Sequence, residues 1–335
     1  TIATKHLQKN LLGKKVTPAQ ALWWAADRFR RVALQPIDLC PPCDIQFIDY
    51  AKAVIRNDIL TNPVDEQGYR PAMLDVFHAR GLCTCQYKPG KDLPEDCAFR
   101  EVLFQERMDF VYPDIGRLSR SRTAAYYFLS DNRRLLHIPP HQDVRVVDLY
   151  DTIKIGAAAE RLPREIVLQY AWQEVVELKK DRAAGLDFKT WNGKTYNLDC
   201  GGTLVFDERG NLLSWFRKPG TEHLAETDEQ DIRQRLAIYQ ADPTALKRND
   251  IPTKLELGLL KDLEVGRQRK QALLGYLSAV IRSGLVGPAQ AESRFSEASR
   301  PVTAFEQAGA VRFEVTPHLR AGEYDKEEDG WMVNY

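Results

Sequence analysis

The sequence has no apolar run approaching the roughly 20 residues that a bilayer-spanning helix needs. Its first 30 residues scatter charges among the apolar positions, where a signal peptide would have an unbroken apolar core. Neither a membrane-spanning helix nor a secretory leader is expected, and the expected compartment is the cytoplasm. Net charge is missing as well, since 47 basic residues cancel 47 acidic ones. The simplest electrostatic route to non-specific binding of nucleic acid or anionic lipid is therefore closed, and only a local basic patch is left for it.

Cysteine is scarce. The six in 335 residues are Cys40, Cys43, Cys83, Cys85, Cys97 and Cys200, too few for the disulfide framework of a secreted scaffold, so reduced thiols are expected. The chain spells no Gly-rich phosphate loop, no dinucleotide fingerprint and no Gly-x-Ser-x-Gly elbow, which demotes the nucleotide-binding and α/β-hydrolase classes. It opens on Thr1 with no initiator Met, as expected of a piece of something longer.

An apolar share of 44% is enough for one large core or two ordinary ones. The patterns predict an α+β fold: a mainly helical N-terminal part (1–115), a central strand-rich region with two β-hairpins (116–225), and a helical C-terminal region with a late strand (226–335). Thr17 and Pro18 read as N-cap and first helical position. Leu22, Ala26, Phe29 and Ala33 follow at i, i+4, i+7 and i+11, the apolar face of an amphipathic helix running to about Gln35. Further helices are expected from Asp44 to Arg56 and from Arg70 to Arg80, the second capped by Gly81. From Cys83 to Arg122 the chain reads as irregular, with one short helix near Cys97 to Glu106.

"TAAYYFLSDNRRLLHI" (123–138) sets two apolar runs around a polar turn and predicts a hairpin. "TLVFDERGNLLSWF" (203–216) predicts the other, with Gly210 at a positive-φ position. Between them "VRVVDLYDTIKI" reads as a strand. "PREIVLQYAWQEVVELKK" reads as a helix opened by Pro163, with Val167, Ala171, Val175 and Leu178 on one face. Helices return from Thr227 to Ile281, "AVRFEVT" (310–316) alternates as a half-buried strand, and the acidic "EYDKEEDGWMVNY" reads as a solvated tail.

Several constellations bear on function. Asp199-Cys200-Gly201-Gly202 resembles, over a handful of residues, the Asp-nucleophile-Gly-Gly signature of chymotrypsin-like peptidases and their cysteine versions. That resemblance implies Cys200 as nucleophile, a base among His78, His137 and His141, and Asp148 or Asp151 as the orienting acid. Leu198 stands where the family has a glycine, and Thr203 where it has a proline. The competing reading is a small buried residue at a tight Gly-Gly bend between strands.

Cys40-Pro41-Pro42-Cys43 together with Cys83 and Cys85 supplies four thiolates for a structural zinc, with Cys97 or His78 as substitute ligands. The same motif before a helix also reads as a redox pair, or as separate reduced thiols. His137-Ile-Pro-Pro-His141 cannot be a regular helix and reads as a loop rim. Glu177-Leu178-Lys179 carries the Glu-x-Lys spelling of metal-dependent nucleases, which place it on a strand, but its surroundings have helical periodicity. Trp215, Arg217 and Lys218, with Arg133 and Arg134, form an aromatic and basic set suited to a protein partner or to stacking. The leading expectation is a soluble binding or assembly partner acting through protein contacts. A thiol hydrolase built on Cys200 is the alternative, a metal-dependent nuclease comes third, and whether the chain is an enzyme is left open.

Overall fold

In a computed structural model, which describes residues 17–65, 68–82, 97–100, 115–156, 160–179, 186, 192–282, 302–307 and 310–315, the first helix starts where its capping residues put it. The Thr17 hydroxyl accepts from the Gln20 N–H while the Gln20 side chain accepts from the Thr17 N–H, and Pro18 opens α1 (Pro18–Leu34). A 3₁₀ turn (Gln35–Leu39) follows. Then come α2 (Phe47–Thr61) and α3 (Tyr69–Ala79). α2 begins three residues later than the sequence predicts. Asp44 sits at φ 47°, outside the right-handed helical region, and the start is set instead by Asp49, whose carboxylate accepts from the Gln46 N–H at 2.8 Å. Gly81, at φ 71°, ends α3 as expected, its N–H donating to His78 O.

Two predictions for the centre are overturned. Residues 123–138 do not form a hairpin: a short α4 (Ile115–Leu118) is followed by α5 (Arg122–Asp131), capped by the Ser121 hydroxyl. Ala125, Phe128 and Leu129 are buried at helical spacing while Tyr127 is exposed. Residues 161–177 do not form a helix but one long strand. β1 (Arg145–Ile155) and β2 (Arg161–Glu177) make an antiparallel hairpin, and β3 (Thr195–Asp207) and β4 (Leu212–Lys218) make a second one. The second matches the prediction: the Asp207 carboxylate accepts from the N–H groups of Arg209 and Asn211, and Gly210 takes φ 81°. Pro163 lies where β1–β2 pairing slips between Ile153↔Arg164 and Ile155↔Arg161, a bulge at which a missing N–H costs nothing.

Helices close the chain at both ends of this sheet region, as the α+β prediction requires. After β4 come α6 (Glu226–Ala241) and α7 (Lys254–Arg282), then β5 (Val302–Gln307) and the expected late strand β6 (Ala310–Val315), paired antiparallel with each other. Of the short helix expected near Cys97, only Cys97 to Arg100 are described, and the acidic tail lies outside the described residues. No helix among the described residues is long and apolar enough to cross a membrane.

The chain divides into two compact units, and β2 and β3 each contribute to both. The first comprises Thr1–Ile138, Asp143–Trp172 and Cys200–Lys218; the second comprises Pro139–Gln142, Gln173–Asp199 and Pro219–Tyr335. In the first unit the sheet order is β1-β2-β3-β4. Leu39, Cys40 and Ala53 pack on Val167 and Val205 on one face of that sheet. On the other face Phe128 of α5 meets Phe206 edge-on with ring centroids 6.0 Å apart. In the second unit, β3 pairs with β6 in parallel at Thr195↔Ala310.

Candidate functional site

β3 carries Cys200 into the first unit's sheet with no exposed surface. Strand alternation puts it on the same face as Gly202, Leu204 and Phe206, the face that Phe128 covers. The two glycines beside it are needed for packing. A Cβ on Gly201 would lie 2.3 Å from Tyr170 O, and one on Gly202 would lie 2.8 Å from both Phe216 O and Tyr170 Oη. That phenolic oxygen accepts from Trp215 Nε1 at 2.9 Å. The Gly-Gly pair thus admits β2 and β4 close to β3, and this role accounts for it whatever the thiol does.

The candidate partners of Cys200 are spread over several elements. His78 lies in the last turn of α3. His137 is buried at φ 53°, edge-on to Trp215 with centroids 5.3 Å apart. His141 is exposed, its Nε2 2.9 Å from Glu222 Oε2. Asp148 pairs with Arg122 at 3.7 Å and accepts from the Leu149 N–H, while Asp151 pairs with Arg164 at 3.0 Å. Arginines therefore engage both candidate acids.

The Cys40 thiol lies 3.7 Å from Pro36 O, and its pKa is pushed up to about 11 by burial and by the nearby Asp49 and Asp38 carboxylates, with Lys218 opposing. A thiol held protonated is a weak nucleophile and a reluctant metal ligand. Cys43 is partly exposed, and Cys83 and Cys85 lie outside the described residues. Among the described residues no group of three or more His, Cys, Asp or Glu side chains is placed to hold a metal ion. Glu177 ends a strand rather than sitting on a helix, and pairs with the exposed Lys179 at 2.8 Å.

The aromatic and basic set is divided. The Arg217 guanidinium stacks 4.2 Å from the centre of the largely buried Trp215 ring. Lys218 is buried, with its Nζ 2.5 Å from the Asp49 carboxylate. Arg133 and Arg134 follow α5 in a turn whose carbonyls accept from the N–H groups of Ile138 and His137.

No protein-family model matches this chain, and neither the curated proteins nor the solved structures give a match. The functional reading rests on its own geometry.

The feature that departs furthest from ordinary folding is α1, where the expected core-facing stripe is turned outward. Leu22 is 66% exposed, Trp23 71%, Phe29 66% and Leu34 59%, with Ala26 exposed among them. On the opposite side, three polar side chains reach partners in the fold. Arg28 is buried and pairs with Asp58 of α2 at 2.5 Å, and Asp58 also accepts from Arg70 Nε of α3 at 2.9 Å. The Arg28 guanidinium also lies 4.9 Å from the centre of the Tyr69 ring. Arg31 donates to Gly156 O, and Gln35 just beyond the helix donates to Ile155 O. At 100° per residue, Arg28, Arg31 and Gln35 share one side of the helical wheel and Leu22, Ala26 and Phe29 the other. The clue in the sequence was this second face, whose long hydrogen-bond donors have buried acceptors waiting on α2 and at the end of β1.

Proposed function

We propose that this protein is a binding and assembly module whose docking surface is the outward face of α1. The single observation that carries the reading is the exposure of four large apolar side chains, Leu22, Trp23, Phe29 and Leu34, on a helix whose Arg28 is buried. Water exacts a free-energy cost of roughly 25 cal/mol per Å² of exposed apolar surface. Contiguous apolar patches on a folded surface mark interaction sites far more often than chance. Leu22, Ala26 and Phe29 fall at i, i+4 and i+7, the spacing at which one helix anchors itself on another protein's groove or helix. Trp23 widens the stripe and is of the residue type most enriched among interface hot spots.

The test is site-specific photo-crosslinking in the native extract. A photoreactive phenylalanine analogue at position 23 or 29 is expected to give a discrete adduct, whereas the same group at Gln240, exposed on α6, is expected to give none. Equal adduct yield at all three positions would overturn the reading.

A further inference from the structure

We infer that the exposed side of α5, with the chain flanking it, is a second binding surface and that it takes a single strand of nucleic acid. Tyr126 and Tyr127 stack the bases, and arginines at both ends of the helix hold the phosphates. This surface lies on other elements than the α1 face and stands independently of the role proposed there. Local charge, aromatic exposure and spacing carry it.

The charge is concentrated. Between Ile115 and Arg145 the sequence has six arginines (Arg117, Arg120, Arg122, Arg133, Arg134 and Arg145), no lysine, and Asp131 and Asp143 as its acids. A chain whose charges cancel overall thus gathers an excess of four positive charges in one stretch. The fold keeps that stretch together: Arg122 donates to Val147 O of β1 at 3.4 Å, which brings the strand that starts at Arg145 to the N-terminal end of α5. Arg122 also faces Asp148 at 3.7 Å, but among the described residues no carboxylate pairs with the exposed Arg120, Arg134 or Arg145. Guanidinium groups fork onto phosphate oxygens and stay charged across the accessible pH range.

The aromatic side chains decide which polyanion fits. Ala125, Phe128 and Leu129 are buried, so the helical wheel sends Tyr126 and Tyr127 to the other side, 37% and 61% exposed. Their rings meet at 69° with centroids 6.0 Å apart. A base laid on one ring meets the edge of the other, and such stacking tolerates any sequence because every base has a flat face. The faces of aromatic rings carry negative potential, which disfavours the carboxylates of an acidic protein segment. A duplex keeps its base faces stacked inside. A single strand offers phosphates and free base faces together.

The spacing agrees. Helix α5 has 10 residues and so runs about 15 Å, the length of about four stacked nucleotides. Arg120 and Arg122 stand at its start, and Arg133 and Arg134 just past its end. A strand laid along the helix therefore meets phosphate-binding groups on both sides of the tyrosines.

The experiment is fluorescence anisotropy of the full chain with labelled oligo(dT) and oligo(rU) of about 12 nucleotides, with a duplex of the same length and polyglutamate as competitors. Both single strands are expected to bind, with affinity falling steeply between about 50 and 200 mM salt, and both competitors to displace them poorly. Tyr127→Ala is expected to weaken binding by about 10-fold, and Tyr127→Phe to bind as wild type does, since stacking needs the ring and not the hydroxyl. Arg120→Ala combined with Arg134→Ala should weaken binding and make the slope of log affinity against log salt shallower by about 1.4. These side chains are exposed, so the variants should melt as wild type does. The arginine pair and Tyr127→Phe keep the test decisive if Tyr127→Ala melts early. No binding at about 50 mM salt, or binding indifferent to the tyrosine and arginine changes, would overturn the inference. So would a duplex competing as well as the single strand, or polyglutamate doing so, which would assign the patch to an acidic protein instead.

Discussion

Arg28 and Asp58, 30 residues apart and on different helices, form a buried ion pair of 2.5 Å, and through it α1 is anchored by its polar side. Burial raises the Asp58 carboxyl pKa, and the Arg28 and Arg70 guanidinium groups oppose that rise. Removing the carboxylate would leave two cations facing each other without it. Asp58→Ala is expected to cost about 3 kcal/mol, the usual penalty for breaking one partner out of a buried pair. Urea unfolding monitored by circular dichroism measures this. Pairing Asp58→Leu with Arg28→Met should recover part of the loss, because an apolar pair needs no compensating charge. A loss under 1 kcal/mol for Asp58→Ala would mean that the pair does not anchor α1.

The same pair shows where sequence reading stops. Periodicity located α1 to within a residue, yet left open that Leu22, Ala26 and Phe29 face outward, because apolar spacing shows that a helix is two-sided and not which side finds partners. β2 was misread for a different reason. Ile166, Val167 and Leu168 are all fully buried, since the first unit's sheet is covered on both faces. A strand of that kind loses its alternation and reads as a continuous apolar run. Pro163 then mimicked a helix start while sitting at a bulge. The hairpin at Asp207–Gly210 was legible because its turn chemistry is local. For Cys200 the motif was legible, but the need for Gly201 and Gly202 was not, since it comes from Tyr170 and Phe216 on neighbouring strands.

Gly266 of α7 carries a prediction about the second unit. A Cβ there would lie 1.9 Å from the Gly220 carbonyl oxygen. The turn beyond Gly220 is held by the buried Glu174 carboxylate, which accepts from the Thr221 N–H and hydroxyl and from the Glu222 N–H. In an open helix Gly→Ala would stabilise by up to about 1 kcal/mol. Here the backbone clash outweighs that gain, and Gly266→Ala is expected to destabilise by about 1–3 kcal/mol. Gly275→Ala, on the same helix with nothing within 4 Å of its Cβ, serves as the control and should stabilise or be neutral. Thermal melts of both variants separate the two effects.

Thiol labelling tests what remains of the hydrolase reading. With a pKa near 11, about one Cys40 side chain in a thousand is thiolate at pH 8. Cys200 has no exposed surface. Iodoacetamide followed by peptide mass spectrometry should therefore modify Cys43 first among Cys40, Cys43 and Cys200, with Cys40 and Cys200 labelled more slowly than in urea. Labelling of Cys200 in the native protein faster than in the unfolded chain would mark an activated nucleophile and put the hydrolase ahead of the binding module.

The acid limb of stability is set in part by Glu229 and Glu256 in the second unit. Side-chain hydrogen bonds from Arg267, and then from Arg233, hold Glu229 down to about 2 against the pull of burial, and Arg235 with Thr253 does the same for Glu256. The geometry is close, with both Arg267 Nη atoms 2.7 Å from the Glu229 carboxylate oxygens and Arg235 Nη2 2.7 Å from Glu256. Both carboxyls bind protons more weakly in the folded chain than in the unfolded one, so their contribution is complete above an unfolded pKa of about 4.5. It disappears as the pH falls towards 2. Melting temperature should therefore drop between about pH 5 and pH 2.5. Arg267→Gln should flatten that drop while lowering stability at neutral pH. Parallel curves for wild type and Arg267→Gln would show that Glu229 titrates at its ordinary value and that the Arg267 contact contributes little in solution.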